Sequence, residues 1–258
     1  MKPPFDIAAD LDTPVSAYLK LSSLTPRYLL ESVEGGERLA RYSFLGFGDA
    51  LELRMGPGGI QIGARQLPRP VGRDEYLDAL RVALGEAPRP LPLVDGLPFS
   101  GGLVGVSGYD VVRLFERLPR QRATSNGIPD AAFVAASSVL VFDHLTRRVA
   151  LLHDGSEQER QSLRKEVIRL LRGPIPVNGG TVRISEARAG MSEVQYADRV
   201  RACKEYIAAG DIYQIVLSVL FSGRSNVAPF EVYRALRLLN PSPYMFYLDF
   251  GDLQLAGS

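Results

Sequence analysis

Tryptophan is absent from the 258 residues, cysteine occurs once and histidine twice. A single cysteine, Cys203, rules out an internal disulfide and fits a reducing compartment, so a cytoplasmic location is expected. Two histidines and one cysteine, far apart in sequence, speak against a zinc site. Charge of one sign is also missing: the net charge is +1, which removes any bulk electrostatic case for nucleic acid or an anionic membrane. No apolar run reaches the roughly 18 residues of a membrane span. The opening "MKPPFDIAADLD" has two prolines, early acids and no apolar core, so it is not expected to be a signal peptide. What remains is 46% hydrophobic and 23% charged, the balance of a globular protein with a sizeable core in one large or two modest domains.

Common catalytic patterns are lacking as well. There is no H-x-x-x-H, no C-x-x-C and no defensible Ser-His-Asp set. "GGLVGVSG" places its glycines at 101, 102, 105 and 108, which is not the dinucleotide fingerprint. Glycines on such a strand more often permit close backbone approach. His144 and His153 fall at hairpin ends and read as solvated turn residues.

The elements that are present carry clear punctuation. Thr13-Pro14 is an N-cap followed by proline, opening a short helix through Leu21. "RYLLES" and "RYSFLGFG" read as strands joined by "VEGGERLA", and "LELRM" and "GIQIG" as a hairpin about "GPGG". A helix is expected from about Arg73 to Leu84, and a second in "DVVRLFERL". "AAFVAASSVLVFD" and "RRVALLHD" form an antiparallel pair turning at His144. Ser156/Glu159 and Ser192/Gln195 have capping-box spacing before two helices. The second helix carries Tyr196, Val200, Cys203 and Ile207 on one stripe, where Cys203 reads as a small core hydrophobe, and ends at Gly210. Pro229 starts another helix, and "YMFYLDFGDLQLAG" is a hairpin turning near Gly251-Asp252. Composition places domains at 1–175 and 191–258, with a linker at 176–190. The apolar hairpin strand at Ser258 leaves two readings: an edge strand, or a polypeptide that naturally continues.

"AGDIYQIVLSVLF", Ala209 to Phe221, is an apolar run with one amide. At period two, Tyr213, Ile215, Leu217, Val219 and Phe221 share one face. The other carries Ile212, Gln214, Val216, Ser218 and Leu220, without a single charge. A wet strand face normally carries charges, so this second face is expected to be covered, by protein or by a ligand. A buried glutamine bonded to neighbouring backbone is the alternative.

Three stretches, "LLES" with "RYSFLG", "AGDIYQIVLS" and "NPSPYMFYLDFGDLQLAGS", together resemble anthranilate synthase component I. The resemblance extends through "TPVSAYLKL", "GGLVGVSGYD" and "VFDHLTRRVALL". It covers essentially the whole chain and the N-terminal portion of the family's length. It implies an α+β fold of stacked, largely antiparallel sheets with flanking helices. The implied activity converts chorismate and ammonia to anthranilate and pyruvate with magnesium. Ammonia comes from glutamine through an amidotransferase subunit, and L-tryptophan inhibits at a separate site. Residue by residue, the resemblance puts Glu31, Ser32 and Arg41 at the amino-acid end of the tryptophan site and Pro243, Tyr244 and Met245 around the indole. A carboxylate beside a hydroxyl suits an ammonium group. Read alone, "LLES" is a strand ending in polar residues and "PSPYM" a turn entering a strand. Gln214 matches the position that faces chorismate near the ring carbon under attack. Val219 and Leu220 depart from the family's polar pair, and Val106 from a common aromatic. The magnesium ligands would lie in the half without counterpart here, so this chain alone is expected to be inactive and to bind no metal. The resemblance leaves two alternatives: a non-catalytic tryptophan- or partner-binding module, and part of aminodeoxychorismate synthase component I.

Overall fold

The computed structural model describes residues 4–32, 41–118, 127–176 and 180–258. The expected connection "VEGGERLA", residues 33–40, lies outside the described residues. The chain divides into two compact units, Met1–Val177 with Pro229–Ser258, and Asn178–Ala228.

In chain order the first unit carries β1 (Ile7–Ala8), α1 (Pro14–Lys20), β2 (Pro26–Glu31), β3 (Tyr42–Gly56), β4 (Gly59–Ile62) and β5 (Arg65–Leu67). It continues with α2 (Arg73–Glu86), β6 (Val104–Ser107), β7 (Ala131–Asp143), β8 (Arg148–His153) and α3 (Glu157–Leu171). The second unit holds β9 (Arg188–Ala189), α4 (Glu193–Ala209) and β10 (Phe221–Ser222). The first unit resumes with α5 (Pro229–Leu239), β11 (Met245–Asp249) and β12 (Gln254–Gly257).

One ten-stranded antiparallel sheet organises the first unit, in the order β1-β8-β7-β3-β2-β11-β12, with β4 on β3, β5 on β4 and β6 on β7. This is the α+β architecture of antiparallel sheet and flanking helices. Among the described residues the only other sheet is the two-stranded β10-β9 pair. The long β3–β7 ladder joins a β3 rich in aromatic residues and leucine to a β7 rich in valine and alanine, whose successive side chains go to opposite faces of the pleat. Leu45 and Phe47 pack on one side, where α1 (Ala17, Tyr18), α3 (Val167, Leu171) and α5 (Phe230, Tyr233) cover the sheet. Phe44, Val139 and Val141 pack on the other, with Phe99 and Leu30. A further cluster joins Leu53, Met55, Ile60 and Ile62 to Tyr76, Ala79 and Ala83 of α2.

Cap chemistry sets the helix starts. Thr13, Ser156 and Ser192 each accept from the N3 backbone N–H, and Ser16, Glu159 and Gln195 each bond back to the cap residue's N–H. This reciprocal pairing satisfies two otherwise orphaned donors per helix. Gly210, at φ 83°, ends α4 in the left-handed region that favours glycine.

Four expectations differ from the structure. Residues 229–258 join the first unit rather than a block 191–258, because β11 hydrogen-bonds to β2. "DVVRLFERL" forms only a 3-10 turn at Tyr109–Leu114. The stripe on α4 is not a core face: no residue of that helix is buried, and Cys203 is half-buried. Ile212–Leu220 belongs to no strand, Gln214 is exposed, and Tyr213 and Val216 are 94% and 81% exposed. Alternation gives a segment strand-like faces, but a strand also needs a ladder partner for its N–H and C=O groups.

Candidate functional site

The first unit contains a cavity of about 840 Å³. Glu31, Ser32, Arg41, Pro243, Tyr244 and Met245, drawn from two stretches some two hundred residues apart, all line it. Sheet pairing brings them together. β11 lies antiparallel to β2 with Met245 opposite Glu31 and Phe246 opposite Leu30. On its other edge β2 pairs with β3, setting Leu30 opposite Phe44. The strand end of "LLES" therefore meets the strand start of "NPSPYM", and Arg41 stands just before β3. Gln214 lies in the other unit and is not among the cavity residues.

The cavity wall is mainly apolar. Leu30, Phe44, Phe246 and Leu248 supply the sheet side, Pro98 and Phe99 a loop, and Val104 to Val106 the short strand β6. Phe44 and Phe99 meet edge to face with ring centroids 5.3 Å apart. Gly105 makes this wall possible: a Cβ there would lie 2.1 Å from the Ala132 carbonyl oxygen and 2.6 Å from the Phe133 Cα. Its backbone can thus approach β7 as a side-chain-bearing residue could not. Val106 also lines the cavity.

Glu31 and Arg41, at the polar end, are each held in an ion pair with a residue behind the lining. Glu31 is 4% exposed, and its Oε2 accepts from the Tyr233 hydroxyl and the Arg237 Nε, both at 2.8 Å. Its Oε1 accepts from the Arg237 Nη2 at 2.9 Å. Burial, and then the Glu31 charge, push the Tyr233 hydroxyl far above its ordinary pKa, so it stays a neutral donor. Arg41 donates from Nη2 to Asp143 Oδ2 at 3.0 Å and from Nε to Oδ1 at 3.3 Å. Its guanidinium sits 4.8 Å from the centroid of the Tyr42 ring. Burial alone would raise the Asp143 carboxyl; hydrogen bonds from Arg41 and from the Thr146 and Leu145 N–H groups outweigh it and lower the pKa. The histidines bond to sheet serines: His144 Nε2 lies 2.7 Å from Ser43 Oγ, and His153 Nδ1 lies 2.9 Å from Ser138 Oγ.

Sequence reasoning missed Tyr233, Arg237 and Asp143. A signal exists for the first two: they are i,i+4 neighbours on a helix whose remaining residues are largely apolar, so they share a face. Asp143 gave none, because its partner is remote in sequence. Among the described residues no three His, Cys, Asp or Glu side chains group as metal ligands.

The chain is 41% identical over 255 residues to "Anthranilate synthase component 1" of Thermus thermophilus, covering 97% of this chain and 54% of the relative. It is 38% identical over 272 residues to the protein of the same name from Pseudomonas aeruginosa, covering 98% and 54%. The crystal structure of anthranilate synthase component I from Streptococcus pneumoniae matches with a TM-score of 0.70 at 26% identity, over 97% of this chain and 56% of that one. The chain thus spans about half the length of the relatives it matches. Residues 25–258 match the chorismate binding enzyme family, and the chain belongs to that family.

Proposed function

We propose that the chain works as the N-terminal portion of a cytoplasmic anthranilate synthase component I, and that its cavity is the site where L-tryptophan exerts feedback inhibition. The whole enzyme would convert chorismate and ammonia to anthranilate and pyruvate, with ammonia delivered by a glutamine amidotransferase subunit and magnesium required. One observation carries the tryptophan reading. The β2–β11 register sets Glu31 beside Met245, so both motifs line one cavity. Its volume falls within the roughly 300–1,000 Å³ of ligand pockets, and its make-up, an apolar wall with a few polar groups at one end, is that of such sites. The indole would lie among Pro243, Tyr244 and Met245, with Glu31, Ser32 and Arg41 holding the amino-acid end.

Chorismate would bind elsewhere, with Gln214 facing the carbon under attack. Ammonia is itself a competent nucleophile, so an amide that orients it suffices, without a base. The reading has further polypeptide close over the apolar segment around the exposed Gln214 in the whole enzyme; the relatives are nearly twice as long as this chain. The magnesium ligands would come from that further polypeptide too.

The test is complementation. The chain alone, given chorismate, ammonium and magnesium, should yield no anthranilate fluorescence. Fused to the remaining portion of the Thermus thermophilus relative, it should yield anthranilate, and L-tryptophan should suppress the signal. Turnover by the chain alone would overturn the proposed division of labour. Turnover by the fusion that L-tryptophan leaves untouched would overturn the feedback site.

A further inference from the structure

We infer that Arg237 is a built-in competitor for the ligand's ammonium group, which takes Glu31 by displacing it. This rests on the tryptophan reading above and deepens it. A carboxylate has about four acceptor positions, and Glu31 already uses three, on Tyr233 and the two-pronged Arg237. Arg237 also neutralises its charge. An ammonium arriving while Arg237 stays would bring a second cation to one buried anion, and the two cations would repel.

Displacement avoids this. The Glu31 side chain is 2% exposed and cannot be left bare, whereas that of Arg237 is 28% exposed and has a route to water. The incoming ammonium keeps Glu31 paired throughout, and the Tyr233 hydroxyl, neutral and 2.8 Å away, need not move. The Arg41–Asp143 pair is built the other way round: Asp143 is the buried partner, its side chain 4% exposed against 41% for Arg41, so a ligand carboxylate that took Arg41 away would strand Asp143, and the exchange is confined to the Glu31 end. Arg237 is therefore a positioning residue that sets affinity through Glu31, and it selects a ligand that carries an ammonium group.

The experiment titrates the full chain with L-tryptophan and, separately, with indole-3-propionate, which has the ring and the carboxylate but no ammonium. A supporting role for Arg237 and a competing role predict opposite signs. If Arg237 competes, Arg237→Gln should bind L-tryptophan at least about fivefold more tightly, the lower end of ordinary coupling between sites. Its affinity for indole-3-propionate should stay at the wild-type value. Should Arg237→Gln not fold, Arg237→Lys keeps the charge but replaces the fork by a single bond, and should show the same sign with a smaller gain. Unchanged or weaker L-tryptophan binding by the folding variant, with the wild-type chain binding normally, would overturn the competition while leaving the tryptophan site standing. Absence of saturable binding by the wild-type chain would overturn both.

Discussion

Helices α3 and α4 begin with the same device, a serine cap and a reciprocal glutamate or glutamine three residues on. They end in different circumstances. α3 buries Arg160, Val167 and Leu171 against the first unit's sheet, whereas α4, two residues longer, buries nothing. The extended segments differ likewise. "VLVF" in β7 is ladder-bonded on both sides, to β3 and β8, and fully buried. The largely apolar "IVLSVL" after Gln214 is in no strand. Cap chemistry and alternation are local and act in both units. Burial and extended strand pairing need a partner surface, which the first unit contains; among the described residues the second unit pairs only the two-residue strands β9 and β10.

The largest expected effect is in hydrogen exchange. Amides of the β3–β7 ladder should be protected about a thousandfold or more beyond those of residues 212–220, since the former open only with the whole unit and the latter lack ladder bonds. Equal protection would erase the contrast. Next comes truncation of side chains. Leu140→Ala, at a fully buried β7 position, should cost about 2–5 kcal/mol in denaturant unfolding, by lost transfer energy plus a cavity. Val216→Ala, at an 81% exposed position, should stay within about 0.5 kcal/mol. A large Val216 effect would mean that the second unit has a core of its own.

A smaller effect belongs to alkaline pH. Burial pushes the Tyr247 hydroxyl up to about 12 and lifts Tyr18, Tyr28 and Tyr233 still further. These groups favour the folded state fully below the unfolded tyrosine pKa near 10. That stability is lost as pH rises from there through the folded value, because only the unfolded chain ionises. The urea midpoint of the first unit should therefore be flat from pH 8 to 9.5 and fall above 10. In Tyr247→Phe the fall should be shallower.

Much of the first unit is legible in the sequence, and for identifiable reasons. The "GPGG" turn, the alternating runs of β3 and β7, and the three capping boxes are short-range signals. The Ala209–Phe221 run misled because alternation reports what a strand's faces would be, not whether a ladder exists. Helix α5 is legible as a helix, and Tyr233 and Arg237 as neighbours on one face of it, but their partner Glu31 is not, since it lies more than two hundred residues away in sequence. The six candidate residues follow from the family resemblance; by its own pattern "LLES" is only a strand end. The β2–β11 register is what turns two ordinary motifs into one site.

That site is also the point to test most directly. Because the chain contains no tryptophan, fluorescence of added L-tryptophan can be followed over tyrosine alone. Titration should give a saturable change with the wild-type chain. With Ser32→Phe, whose ring would intrude where β2 meets the cavity, it should give none while the thermal melt is retained. Saturable binding that Ser32→Phe leaves intact, or no binding by the folded wild-type chain, would contradict the assignment.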